Sequence, residues 1–378
     1  MKTRRAASTL TISLAIATGV AAVALCLAWF FWPFGEGSEP LKKSFDGESE
    51  RLTRTVIVPT LDTPIPDDRS AIWCSSFQLA WNRLKDDVIH EPIVLKGAET
   101  TSRQLNDANP SDKDLSAQSF YAAAGWAKDG IVEKVRQDMA RKFPGVPVME
   151  LSVPPEGALA YGYLQAAIKY PLRYRDGRSR LSFPVGDGTR RAVGSFGFVE
   201  RQEETHNLRS QPDILFSSPE GDEVQQYAVE LCKGTADQVV VARIPRQKSL
   251  AEALATVRER IAAYPKDYMQ HRFGPSDSLL VPNMSWRIVH RFKELEGKQF
   301  LNARWQSVSL EAARQVIDLT MDRSGTELKS EAAKSIKSAT PPGRNHFLFD
   351  GPFLLYLQKR GAEQPYFAMW VANTELLQ

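Results

Sequence analysis

Five histidines and three cysteines are the side chains from which this 378-residue chain could build a metal centre or a nucleophile. Their spacing supports neither. His90, His206, His271, His290 and His346 are too far apart to share one turn of helix or one hairpin, so each is expected to sit at the surface or to be satisfied locally, and no metal site is expected. Cys26 falls in an apolar run. Cys74 and Cys232 form the one pair outside it; an oxidising compartment would permit a disulfide between them, and two buried free thiols are the competing state. There is no Gly-x-Ser-x-Gly elbow, no glycine-rich phosphate loop after a strand and no His-Glu-x-x-His helix. No two carboxylates share an apolar setting that would raise one pKa. Neither catalytic residues nor a cofactor are expected, and the chain is read as a non-enzyme. The 48 basic and 45 acidic residues leave a net charge of +3 and are interspersed rather than gathered into a stripe, so nucleic acid is not an expected partner.

The one stretch whose composition asks for a function is the C-terminal quarter. In Ile317-Asp318-Leu319-Thr320-Met321 apolar and polar side chains alternate, which puts Ile317, Leu319 and Met321 on one face of a half-buried strand. Asp322-Arg323-Ser324-Gly325-Thr326-Glu327 ends that pattern. Residues 329–345 then offer small, charged and helix-breaking side chains, with Pro341-Pro342-Gly343, a composition that belongs in an exposed loop. The apolar signal resumes at Phe347 and runs to Leu357 as a core strand. Residues 359–363 turn it, and residues 365–371 return as a hairpin partner.

These pieces resemble the reactive-loop end of the serpins. Leu319-Thr320-Met321-Asp322 stands for the strand leading to the hinge, Gly325-Thr326-Glu327 for the hinge, Phe349-Asp350-Gly351-Pro352-Phe353 for the Phe-x-x-Pro-Phe motif, and Val371-Ala372-Asn373 for the closing Val-x-Asn. The resemblance implies an α+β fold, a serpin-like, mixed multi-sheet domain with flanking helices. It also implies a mechanism: an inhibitory serpin is cleaved in its loop, which enters the main sheet as an extra strand and drags the attached protease with it. Counting from the hinge places the scissile region near Ala339 and Thr340, with Lys337 and Arg344 the nearest sites for a trypsin-like protease. Two features depart from the family. Leu328-Lys329-Ser330-Glu331 replaces the run of small residues that follows the hinge, and Arg323 stands where a carboxylate is usual. Alternation softens the first departure, because Leu328, Ser330 and Ala332 would share an inward face with Thr326 while Lys329 and Glu331 point out.

The chain before that region divides into four parts. Residues 1–9 carry Lys2, Arg4 and Arg5 and are expected in the cytoplasm; residues 10–34 are uncharged and long enough to span a bilayer as a helix, with Trp29, Phe30, Phe31 and Trp32 at the far boundary. A cleaved signal peptide, cut near Ala22-Val23-Ala24, is the competing reading. Residues 35–70 read as a linker, with only Thr55-Val56-Ile57-Val58 capable of a short strand, and 71–378 as the domain. Within it, residues 72–84 are expected to form an amphipathic helix through Trp73, Phe77, Trp81 and Leu84, while residues 85–114 are weakly patterned. Strands are expected at 119–126, 146–153 and 159–168, a helix on Ile131, Val135, Met139 and Phe143, hairpins at 181–198 and 227–245, a helix opened by Ser249 and Glu252, and a strand over 279–288. Two helices of the family have no counterpart in this pattern: a Ser-Pro-containing one beneath the centre of the main sheet, and one crossing its front. The expected function is a single-pass plasma (inner) membrane protein with an extracytoplasmic serpin-like module, non-inhibitory, that binds a protein partner or serves as an envelope component. The alternative is a serine or cysteine protease inhibitor with residues 328–345 as bait.

Overall fold

Period-two burial along long strands organises the molecule. The computed structural model describes residues 42–378 except 109, 178–180, 200–206, 219–224, 266 and 325–344, and omits the side chains of 268 and 269. The predicted membrane span therefore lies outside the described residues; among those described, no helix is long and apolar enough to cross a membrane.

The largest sheet runs, edge to edge, Phe45–Glu48, Met284–Arg291, Ser309–Met321, Ala158–Ala167 and Phe120–Trp126, with Lys298–Gln299 pairing beside Ser309 and Leu310. Its two faces feed two cores. Ala158, Ala160, Leu164, Trp286, Ile288, Ile317, Leu319 and Met321 point to the main core, shared with the second sheet. Tyr121, Leu159, Tyr161, Tyr163, Val289 and Val316 point the other way, onto the helix Ile131–Lys142 and the chain that follows it. That second sheet has the order Asp213–Ser217, Tyr227–Glu230, Asp237–Arg243, Phe353–Lys359, Phe367–Val371, Ser70–Cys74, Thr55–Ile57. Its far face packs on the helix Leu250–Ala263 through Trp73, Val240, Leu354 and Trp370. Ser249 caps that helix as expected, its hydroxyl accepting from the Glu252 N–H. A third sheet aligns His346–Leu348, Ser278–Pro282, Ser195–Phe198 and Arg175–Asp176, and Leu181–Pro184 forms a hairpin with Arg190–Val193.

Several expectations are corrected. Residues 42–70 belong to the domain and are no linker: Phe45–Glu48 pairs in parallel with Trp286–Val289, and Thr55–Ile57 with Ser70–Ile72. The helix expected at 72–84 begins only at Ser75. Ser70–Cys74 is instead a strand, buried on both faces between Phe367–Trp370 and Thr55–Ile57, so it carries no alternation to reveal it. Trp73 and Phe77 lie in different cores, and their helical spacing is accidental. Residues 146–153 form no strand but cover the outer face of the large sheet with Val146, Val148 and Leu151. Residues 279–288 are two strands parted at Asn283. The expected 347–357 strand is likewise two, broken where Pro352 offers no N–H. Ser75–Arg83 lies beneath the large sheet, in contact with Ser309–Met321, Ala158–Ala167 and Phe120–Trp126, and the expected helix Ile131–Lys142 covers the other face; no helix lies over residues 146–157, where the crossing helix of the family has no counterpart.

Candidate functional site

The strand Ser309–Met321 positions everything that follows the large sheet. It pairs antiparallel with Met284–Arg291 on one side and in parallel with Ala158–Ala167 on the other, from Leu310 opposite Ala158 to Thr320 opposite Ala167. A chain that doubled back after Ser324 and entered between the two parallel strands would be antiparallel to both, so this seam is where the sheet could accept one more strand. The seam is closed beyond its last registered pair. The N–H groups of Ile168, Tyr170 and Tyr174 donate to the carbonyls of Thr320, Ser324 and Arg323 at 3.0, 3.2 and 3.1 Å. Asp322, itself buried, accepts the Ser324 N–H at 2.6 Å, and the buried rings of Tyr170 and Tyr174 meet edge to face at 4.9 Å. Burial pushes both phenols well above their ordinary pKa, so they are neutral packing groups. On the other side Lys43 reaches Asp318 at 2.6 Å and ties the N-terminal edge strand to the strand that leads to the hinge.

Midway along the seam the helix beneath presses on the sheet. Gly162 has no side chain because a Cβ there would lie 2.6 Å from the Ser76 carbonyl carbon and 2.7 Å from the Phe77 nitrogen. Gln315, opposite Gly162 and fully buried, donates from Nε2 to the Cys74 carbonyl and to Ser76 Oγ, each at 3.0 Å. His290 is the partner of Gln315 on the other neighbouring strand, with Nδ1 2.7 Å from Ser49 Oγ. Burial lowers the His290 pKa to about 4; the Glu50 carboxylate opposes that shift, and Arg314 and Lys293 add to it. A neutral imidazole bonded to Ser49 and an amide bonded to the helix beneath thus stand on adjacent strands of an apolar core, with no hydrogen bond between them among the described residues; the amide ties its strand to that helix. None of these groups is activated as a nucleophile. Cys74 Sγ lies 3.2 Å from Ser76 Oγ, and burial raises its pKa to about 11, so it stays a thiol.

The predicted hinge, Gly325, Thr326 and Glu327, and the predicted loop positions Lys337, Ala339, Thr340 and Arg344 all lie outside the described residues, as does His206. The ends of that segment are placed. Arg323 reaches Asp176 at 3.6 Å, on one edge strand of the third sheet. Asn345 leads into His346–Leu348 on the opposite edge, its N–H held by Asp277 at 2.9 Å. Three strand spacings separate those edges, roughly 14 Å, whereas the intervening residues 325–344 could reach roughly 66 Å if extended. The segment is several times longer than closure requires.

Cys74 and Cys232 are both buried and free, so the disulfide considered from sequence is not formed. His90 and His271 bond neighbouring carbonyls and are locally satisfied. His290 departs from expectation: it is largely enclosed and its Nε2 has no hydrogen-bond partner among the described residues. Gln315, Ser76, Gly162, Tyr170 and Tyr174 were not singled out by sequence. One signal was available, a glutamine at the alternate position that Ile317, Leu319 and Met321 continue as a buried face, where an amide must find a partner.

No family model matches this sequence, and no curated protein matches it. Solved structures do. Human thyroxine-binding globulin, complexed with its hormone, aligns with a TM-score of 0.50 at 11% identity over 81% of this chain and 92% of that one. Mouse protein-Z dependent protease inhibitor aligns with a TM-score of 0.47 at 11% identity, over 80% and 90%. Maspin gives 0.46 at 10%, over 80% and 91%. The first of these carries the conclusion that the domain has a divergent serpin-like fold, and at such identity the likeness concerns the fold alone.

Proposed function

On this serpin-like fold we propose a membrane-anchored, extracytoplasmic binding module that does not work by loop insertion. The observation that carries the reading is the sealed seam. Insertion would have to break the three hydrogen bonds that Ile168, Tyr170 and Tyr174 make to Thr320, Ser324 and Arg323, then the whole parallel ladder, and then lift Gly162 from the helix beneath it. The sequence that would enter supplies Leu328, Lys329 and Glu331 where small side chains would favour rapid pairing. A long segment anchored at both ends and unable to enter the sheet is suited to presenting side chains to a partner. The basic N-terminus and the apolar run of residues 10–34 support an anchor with the domain on the extracytoplasmic side.

A second reading has its own support. The parallel seam is the right geometry for an added antiparallel strand, and a helix packs on each face of its sheet, so a protease inhibitor using residues 328–345 as bait keeps a structural basis.

One experiment addresses both. Trypsin is added to intact cells, the cleavage site is mapped, and the purified chain is melted before and after the cut. Cleavage within 325–344 on intact cells and a nearly unchanged midpoint are expected. A midpoint raised by tens of degrees, or a denaturant-resistant covalent band with a serine protease, would transfer the case to the inhibitor. Cleavage that requires lysis would overturn the extracytoplasmic placement.

A further inference from the structure

The end of the large sheet opposite the loop carries a second candidate site. The strand Ser309–Met321 releases the loop-bearing segment at its Met321 end. Its Ser309 end, roughly 40 Å away at 3.3 Å per residue, pairs with Lys298–Gln299, which joins the chain at 94–96 through the Leu95 to Phe300 bridge. Beside that bridge opens a cavity of about 770 Å³.

Three independent features converge on it. First, Val94 and Leu301, 37% and 44% exposed, are the two large apolar side chains left exposed among the described residues. They are neighbours, the Leu301 N–H donating to the Val94 carbonyl at 2.8 Å. Isolated exposed apolar residues are ordinary, but Val94 lines the concavity and Leu301 is hydrogen-bonded to it. Second, one wall is a π-helical turn, Leu84–Ile89, which ends in His90 at φ 63°, one of two non-glycine residues with a left-handed backbone among the described residues. Such turns are uncommon and recur at functional sites. Third, the lining is acidic in a chain of net positive charge. Asp86, Glu91, Glu99 and Asp107 face Arg103 and a Lys85 whose side chain is only 17% exposed and already lies 3.6 Å from Asp86. Lys298 stands beside Glu99, which also accepts the Gly97 N–H, and Asp86 is paired with Lys85, so Glu91 and Asp107 hold the accessible negative charge.

We propose that this end of the molecule docks a short extended peptide of cationic and apolar character. Its Lys or Arg enters beside Glu91 and Asp107 while an adjacent apolar side chain covers Val94 and Leu301. Acidic lining beside an apolar rim selects that chemistry over an acidic or purely polar segment. The inference goes beyond the proposed function, because it holds whether or not the loop can enter the sheet.

The test is a random-peptide display library selected on the immobilised full chain. Enrichment of Lys or Arg next to Leu, Ile, Val or Phe is expected. The enriched peptide, synthesised and titrated, should lose at least about tenfold in affinity for Leu301→Glu and for Glu91→Lys/Asp107→Lys. These positions are exposed, and an unchanged melting midpoint confirms that each variant is folded. Trypsin-nicked chain should bind the same peptide as tightly as intact chain, which separates this site from the fate of the loop. Enrichment of acidic sequences, absence of any consensus, or retained affinity in both variants would overturn the proposal.

Discussion

Replacing His290 by phenylalanine should remove a defined part of the acid sensitivity of folding. In the folded chain burial holds this imidazole at a pKa of about 4, against 6.5 for an exposed histidine. As pH falls through 6.5 the unfolded chain binds a proton that the folded chain refuses until about pH 4. The stabilising effect is therefore complete above 6.5, is lost progressively as pH falls, and is gone below 4. At about 1.36 kcal/mol per pH unit the whole effect approaches about 3 kcal/mol, and about 2 kcal/mol of it falls between about pH 7.5 and pH 5. Phenylalanine suits the site, where His290 meets the edge of Phe292 at 4.5 Å between centroids, but it gives up the bond to Ser49. That loss is the same at every pH and cancels in the comparison. Urea unfolding of both proteins at the two pH values is the assay. The parent should lose about 2 kcal/mol more than the variant on acidification. Equal losses in the two proteins would mean that His290 is hydrated and titrates normally, and its enclosure beside Ser49 and Phe292 would then be wrongly described.

Two further perturbations test the packing of the core, one at the seam and one on the second sheet. Gly162→Ala drives a Cβ to 2.6 Å from the backbone of Ser76, where no flexible side chain can yield, so a loss of about 1 to 3 kcal/mol is expected from overpacking; a neutral effect in chemical denaturation would detach the helix Ser75–Arg83 from the sheet. Phe353→Ala leaves a cavity between Phe183 and Phe349, whose rings lie 6.1 and 5.3 Å from it, and should cost about 3 to 5 kcal/mol; a loss under about 1 kcal/mol would place this ring outside the core.

What the sequence determined by itself were the elements whose pattern is local. Ile317, Leu319 and Met321 share a buried face as their alternation required, the helix carrying Ile131, Val135 and Met139 follows its 3.6-residue period, and Ser249 caps the helix it precedes. The order of strand, hinge, loop and hairpin was enough to place the chain near the serpins, because turn chemistry and apolar runs are written residue by residue. Tertiary structure decided the rest, for three physical reasons. Ser70–Cys74 is covered on both faces and so shows no period, which hid both the strand and the true start of the helix at Ser75. Phe45–Glu48 and Thr55–Ile57 lie in a polar stretch that resembles a linker; the second shows its apolar centre in the sequence, but the pairing of the first with neighbours more than 200 positions later and of the second with Ser70–Ile72 is announced by no local composition. Val94 and Leu301, held side by side by a backbone hydrogen bond, are about 200 residues apart in the chain. The seal at Ser324, the contact at Gly162 and that pairing are all distances between segments far apart in the chain, and only the folded backbone sets those.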